Sequence, residues 1–469
     1  MARRLGPTSA ACAGPAHHTR MTCAESAHRL RTNYKHLWSV MFPALRVHHL
    51  SIGLLWSAPG LVALLLGCDD GPVAPTAAEL IARFDLEAVG DIPYPPDNLP
   101  HPERVSLGRL LFFDPILGGE QDVACGTCHH PMFAFTDGRQ FGAGVSGVGL
   151  GPGRQLSVSD VTGSPIPDEP RNTQTILNVA FAMDASGVPS HLAPLFWDGR
   201  ATGLEAQALM PIASRAEMRG DAYPGTEEEA AVVAVDSVLN RLRAIPEYVS
   251  LFRGAFADEG ADTVTVAVTA SRLARALGAY QRELITVNTP YDRMLAGDDE
   301  ALTPAQKRGL EVFFTGGKCS LCHRGAMFSN FLFRVTGTPQ EGPGKSAIPG
   351  DDTGREEHTG QLQDRYAFRV PSLRNVELTP PYMHSGVFET LEEVVAFYNA
   401  GARPRNPNVT DTDIEVALQI PLDLTSDEVS DLVSFLRALT DPGTVLDPVL
   451  LQVPGAVPSG LVPVFGGSR

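Results

Sequence analysis

Apolar residues recur at helical spacing through much of the chain. In "LTSDEVSDLVSFLRALT" the residues Val429, Leu432, Val433, Leu436 and Leu439 fall on one face behind a capping box from Thr425 to Glu428. In "LTPAQKRGLEVFFTGG", Thr303 caps a helix, Pro304 takes its first position and Gln306 completes the box. "ETLEEVVAFYNAG" places Leu391, Val394, Val395 and Tyr398 on one inward face behind Thr390 and Glu393. The stretches "DSVLNRLRAIPEYVSLFRGAF" and "VTASRLARALGAYQREL" carry the same period and predict further helical body. Between these elements, Gly/Pro-rich loops at 141–170 and 336–362 show no periodicity, so the expected fold is mostly α with long loops.

The pattern repeats. Gly-x-x-x-Phe-Phe occurs at Gly108 and again at Gly309, each time shortly before a C-x-x-C-H unit, which marks an internal duplication of a helix followed by a motif. The two units are Cys125, Cys128 and His129, and Cys319, Cys322 and His323. Two thiols three apart attack the vinyl groups of one haem, and the following histidine becomes an axial iron ligand. One zinc held by four cysteines is the competing reading; the wide separation of the pairs and the histidine after each argue for two covalent haems. Gly142, Gly144 and Gly147 match a dinucleotide fingerprint, yet no β-branched strand precedes them and no helix follows, which predicts a flexible loop.

Composition sharpens this picture. With 43% hydrophobic and 19% charged residues the chain is of soluble globular type, and 469 residues exceed one ordinary core. The expected organisation is an export segment at 1–68, a linker at 69–80, a first haem domain at 81–295, a second at 296–445 and a tail at 446–469. The first 67 positions hold seven Lys/Arg and a single acid, Glu25, then the apolar run "LSIGLLWSAPGLVALLLGC" ending at Cys68. "LLGC" reads as a lipoprotein cleavage site, with Met41 as an alternative start. An ordinary secretory signal or a short anchor helix are the other readings. All three imply export, to the periplasm or cell envelope. The formal charge of −17 becomes more negative still without this basic prefix, which repels nucleic acid and suits a basic protein partner. Cys12 and Cys23 lie in the prefix, so no thiol remains for a structural disulfide.

The blocks "RNTQTILNVAF", "LFWDGRATGLEAQALMPIASRAEM" and "VPSLRNVELTPPYMHSGVFETLEEVVAFYNAG" resemble the bacterial di-haem cytochrome c peroxidase family, which includes MauG, over residues 100–440. The resemblance implies two cytochrome c-like helical domains with two haems c, a calcium ion and a tryptophan between them, and a homodimer. Carried over by position, Trp197 is the inter-haem tryptophan, Gln207 the distal glutamine and Glu217 the catalytic acid/base. Asn172, Thr379 and the carbonyl of Pro381 align with the calcium ligands. Trp197 is also the one tryptophan beyond the prefix.

Two departures from the family pattern matter. Ordinary members close the first haem with a histidine between the first motif and the "RN" block, and residues 131–171 contain none. His130 shares the proximal turn and is a poor substitute. The first haem is therefore expected to be open without reductive activation. Ordinary members also ligate the second haem with a methionine at the position occupied by Tyr398. MauG has a tyrosine there, so Tyr398 is the expected ligand, with Met383 and Met327 as rivals. An anionic phenolate favours ferric and higher states, whereas a thioether favours ferrous iron.

The expected function is reduction of hydrogen peroxide at the first haem, with oxidising equivalents shared with a His/Tyr second haem and electrons exchanged with a protein or organic substrate. The alternatives are an ordinary cytochrome c peroxidase fed by a small cytochrome, and a di-haem electron carrier without peroxide chemistry. MauG-like chemistry also uses a surface tryptophan as a relay. That residue is missing here, leaving tyrosines such as Tyr223, Tyr248 or Tyr291 as substitutes.

Overall fold

In the computed structural model, residues 75–260, 263–341, 350–443 and 448–463 are described. The segment expected to direct export, with Cys12, Cys23 and Cys68, lies outside them. The longer helices are α1 (Ala77–Phe84), α2 (Pro102–Phe112), α3 (Gly203–Ala213), α4 (Glu227–Arg243), α5 (Pro246–Ala255), α6 (Ala270–Arg282), α7 (Pro304–Phe314), α8 (Leu391–Asn399) and α9 (Ser426–Arg437). Shorter helical turns join them, and the strands form two antiparallel pairs: β1 (Pro194–Leu195) with β2 (Ala201–Thr202), and β3 (Phe333–Arg334) with β4 (Phe368–Arg369).

The capping boxes form as the sequence predicts. Thr303, Thr390 and Thr425 each accept a hydrogen bond from the backbone N–H three residues on, and the Gln306, Glu393 and Glu428 side chains bond back. These contacts satisfy donors that helical geometry leaves orphaned, so they act locally and are readable from four residues. The long periodic stretch before Phe256 splits, because Pro246 has no N–H to continue α4 and instead opens α5 at its first position. Helix α1 starts inside the stretch expected as linker, with Thr76 and Glu79 forming another box.

Two apolar cores organise the helices. One gathers Leu107, Leu111, Phe112, Leu239, Phe252, Leu273, Leu277 and Tyr280, and Leu450 and Leu451 from the tail pack on it. The other gathers Leu310, Phe313, Phe328, Leu391, Leu432 and Phe435, with Ala77 and Leu80 of α1. The repeated glycine has the same job in both. A Cβ at Gly108 would stand 1.9 Å from the carbonyl oxygen of Ala276 in α6, and one at Gly309 would stand 1.9 Å from that of Asp431 in α9. Each glycine thus lets a crossing helix approach to backbone contact. The following phenylalanines then pack on that helix, Phe112 against Tyr280 at 5.2 Å and Phe313 against Phe435 at 5.5 Å.

The glycine-rich loop differs from expectation. Ala143 and Val145 are fully buried, and so is Arg154, whose guanidinium donates to the carbonyls of Ala143 (2.7 Å), Gly144 (2.6 Å) and Gly149 (2.9 Å). One buried fork of donors thereby helps fix a segment that lies outside the named helices and strands. The tyrosines also differ. Tyr248 is buried and bonded to Asp114, and Tyr291 is buried among Phe328 and Phe435, so neither is a surface relay. Tyr223 is half-buried and accepts from Arg241.

Candidate haem sites

Two cavities lie beside the two C-x-x-C-H units. The first, of about 680 Å³, is lined by Cys125, Cys128 and His129 together with Gln207, Glu217 and Trp197. The second, of about 400 Å³, is lined by Cys319, Cys322 and His323 together with Tyr398, Met383 and Trp197. Both proximal histidines are oriented in the same way. His129 Nδ1 is 3.0 Å from the carbonyl oxygen of Phe135, and His323 Nδ1 is 2.9 Å from that of Phe328. A ring whose Nδ1–H is given to a carbonyl presents Nε2 as its acceptor, the atom an iron takes. Burial lowers the pKa of His129 and holds that of His323 down at about 4, so both rings are neutral and fit to ligate. The four cysteines form no disulfide. Thiols, acceptor nitrogen and space therefore fit one haem c in each cavity.

The distal wall of the first cavity is built by α3 and the turn after it. Gln207 projects from α3, which ends after Pro211, and a single π-turn, Arg215–Arg219, then carries Glu217. Such turns widen the helix and re-aim side chains. The Ser214 hydroxyl accepts from the Glu217 amide at 3.3 Å. Burial raises the pKa of the Glu217 carboxyl, with Arg200 and Ser214 pulling the other way. Arg200 stacks 3.7 Å over the Phe196 ring and bonds Asp198 at 3.0 Å.

Trp197 sits in the turn between β1 and β2. Its indole N–H donates to the carbonyl of Asn172 at 2.8 Å, and its own carbonyl accepts from the Arg369 amide at 2.7 Å. Trp197, Asn172 and Arg369 line both cavities. His384 packs against the Trp197 ring at 6.4 Å and stacks on Phe368 at 3.6 Å.

In the second cavity the inward face of α8 is the expected one, with Leu391, Val394, Val395 and Tyr398 all on the wall. The Tyr398 hydroxyl lies 4.0 Å from the Met383 sulfur, so both candidate sixth ligands occupy the same wall. Met383 is held at φ 72°, a costly conformation for a side chain larger than glycine. Met327 is absent from that wall; it is buried with Phe181 and Phe331 in a separate cluster. Asn172, Thr379 and Pro381 all line the second cavity, and the Asn172 side chain donates to the Arg139 carbonyl at 2.7 Å. Among the described residues no cluster of three or more acidic, His or Cys side chains is placed to hold a metal ion.

His130 does not line the first cavity; its Nδ1 accepts from the Met132 amide at 3.2 Å. The cavity does receive residues that sequence reasoning missed. His358 and Glu357 arrive from the aperiodic 336–362 loop, and Glu169 arrives from the 141–170 loop. No periodicity or motif marks them. Among the described residues no helix is long and apolar enough to cross a membrane.

A family model described as di-haem cytochrome c peroxidase matches residues 102–300. The methylamine utilization protein MauG of Methylorubrum extorquens is 32% identical over 376 residues, covering 80% of this chain and 88% of its own. The cytochrome c551 peroxidase of Pseudomonas aeruginosa is 33% identical over 338 residues, covering 72% and 79%. Among solved structures, a MauG-like protein associated with microbial copper homeostasis superposes with a TM-score of 0.61 at 27% identity, covering 78% of this chain and 97% of that one. With its paired C-x-x-C-H cavities, this chain belongs to the di-haem cytochrome c peroxidase family and is an oxidoreductase built around two c-type haems.

Proposed function

We propose that the protein is exported and reduces hydrogen peroxide in the first cavity, opposite His129, sharing the oxidising equivalents with a second haem held between His323 and Tyr398. The observation that carries this reading is the wall of the first cavity, where Glu217 and Gln207 stand with the proximal histidine while Trp197 reaches both cavities. A haem bound there supplies the electrons for breaking the O–O bond. Glu217 takes a proton from peroxide and returns it to the departing oxygen, a shuttle that suits a buried carboxyl with a raised pKa. Gln207 orients the peroxide by hydrogen bonding. Residues 131–171 hold no histidine, and His358 in the cavity lining is exposed, so a haem held by His129 would be open to peroxide without prior reduction.

Tyr398 holds its proton tightly because burial disfavours the phenolate, so ligation of a haem here would need that proton to leave. A phenolate ligand would lower the haem's potential and disfavour uptake of electrons from a small cytochrome, which points to an organic or protein substrate. Met383, beside Tyr398, supports the second reading, an ordinary cytochrome c peroxidase with a thioether ligand. A calcium ion held by Asn172, Thr379 and Pro381 would rest on neutral oxygens and water, which predicts weak binding.

The test is the electronic and paramagnetic resonance spectrum of the ferric protein, comparing wild type, Tyr398→Phe and Met383→Leu before and after one equivalent of peroxide. One high-spin and one low-spin haem, the low-spin signal altered by Tyr398→Phe alone, is the expected result. A low-spin signal altered by Met383→Leu alone selects the ordinary peroxidase. Two low-spin haems inert to peroxide would refute both.

A further inference from the structure

Glu169 lines the first cavity along with Glu217. The backbones of both residues are tied to one short segment. The Gly142 carbonyl accepts from the Glu169 amide at 2.8 Å, and the Val145 amide donates to the Glu217 carbonyl at 2.8 Å. Three residues of extended chain span about 10 Å at most, so the two tethers are close neighbours. Glycine at 144 makes this possible, because a Cβ there would meet the carbonyl oxygens of Ala216 at 2.1 Å and Glu217 at 2.2 Å. The glycine pattern that imitates a nucleotide loop is thus a buried strap that fastens two acids to one cavity.

Glu169 is poorly compensated. Its Oε1 is buried and accepts no hydrogen bond among the described residues. The charged groups around it are Glu217, Arg200, Arg171 and Asp168, with Asp137 across Gly142. Both arginines are committed elsewhere: Arg171 pairs with Asp198, Asp352 and Glu357, and Arg200 pairs with Asp198. Glu227, Glu357 and His358 are the other titratable groups on the distal and outer wall.

We propose that Glu169 and Glu217 form a pair holding one proton at neutral pH, Glu169 keeping it and Glu217 standing ionised, which makes Glu169 the positioning residue that readies Glu217 to accept the peroxide proton. The inference rests on the peroxide reading of the first cavity. Burial pushes both carboxyls above the ordinary range, and the Glu217 charge pushes Glu169 further, so Glu217 ionises first. A neutral Glu169 donates a hydrogen bond. An ionised one adds a second negative charge to the cavity and removes that donor, so peroxide reactivity falls at alkaline pH.

The test is infrared difference spectroscopy of the ferric di-haem protein between neutral and alkaline pH, with stopped-flow peroxide kinetics on the same samples. Wild type is compared with Glu169→Gln, Glu169→Asp and Glu217→Gln, each checked for full haem content. The expected carbonyl band of a protonated carboxyl is lost on raising the pH of wild type, is missing from Glu169→Gln, and titrates at lower pH in Glu217→Gln because the repelling charge is gone. The alkaline decline in rate disappears in Glu169→Gln and returns in Glu169→Asp. A titrating band that survives in Glu169→Gln, or one indifferent to Glu217→Gln, overturns the proposal. If the band behaves as expected while wild type ignores peroxide, the proton-sharing pair stands and the peroxide reading of the cavity falls.

Discussion

The Trp197 indole is fastened to the Asn172 carbonyl by a 2.8 Å hydrogen bond, and these two residues stand together in the walls of both haem cavities. A ring that is oxidisable and fixed in orientation is suited to carry charge between the cavities. Trp197→Phe keeps the aromatic bulk and loses the N–H. It should cost about 1 kcal/mol of stability and delay the spectral change of the second haem after peroxide, while the first haem reacts as before. Rapid-mixing absorption at both haems checks this.

Glu217→Gln keeps shape and hydrogen bonding but cannot accept a proton. The peroxide rate should fall by roughly 10²–10⁴-fold, the span of general acid–base catalysis. Because burial raises the carboxyl's pKa, the ionised form is lost as pH falls through that raised value. The wild-type rate should therefore drop on the acid side, and the variant should lack that drop. Stopped-flow kinetics across pH, with the ferric spectrum as a control, decides it.

Alanine at Gly309 or Gly108 should destabilise the fold by about 1–3 kcal/mol, since its Cβ would overlap a backbone carbonyl of the crossing helix. The sign is informative. Gly254, in the last turn of α5, has open space where a Cβ would stand, so Gly254→Ala should stabilise by up to about 1 kcal/mol. Guanidinium unfolding of the three variants compares them directly.

Asp137 accepts from the Thr173 hydroxyl at 3.0 Å and the Arg139 amide at 3.1 Å, yet burial raises its pKa to about 6. The folded protein holds this proton more tightly than the unfolded chain, so the contribution to stability is full below the ordinary Asp value and is lost as pH rises to about 6. The loss is on the order of 3 kcal/mol. Asp137→Asn should remove this dependence, seen as a flatter unfolding midpoint against pH across that window.

Local chemistry is legible in this sequence because it is written in neighbouring residues. Thr303, Thr390 and Thr425 find their capping partners three positions away, and C-x-x-C-H needs only one turn of chain to present two thiols and a ligand. The repeated Gly-x-x-x-Phe-Phe is visible as a pattern too. Its reason is not, because the carbonyls of Ala276 and Asp431 that exclude a Cβ lie more than a hundred residues downstream.

The sequence alone therefore offered the two C-x-x-C-H units as haem-attachment candidates, placed the capped helix starts and carried the family resemblance. Tertiary structure decided what faces each cavity. Glu169 and Glu217 line one cavity with their backbones both hydrogen-bonded to 142–145, and the supposedly flexible loop is fixed by the carbonyls gathered around Arg154. The choice between Tyr398 and Met383 is likewise a question of two chain segments meeting at 4.0 Å. Helix caps and haem attachment are short-range interactions with a fixed spacing. The loop parts of the cavity walls, Glu169 among them, are held by long-range backbone bonds, and those leave no period in the chain.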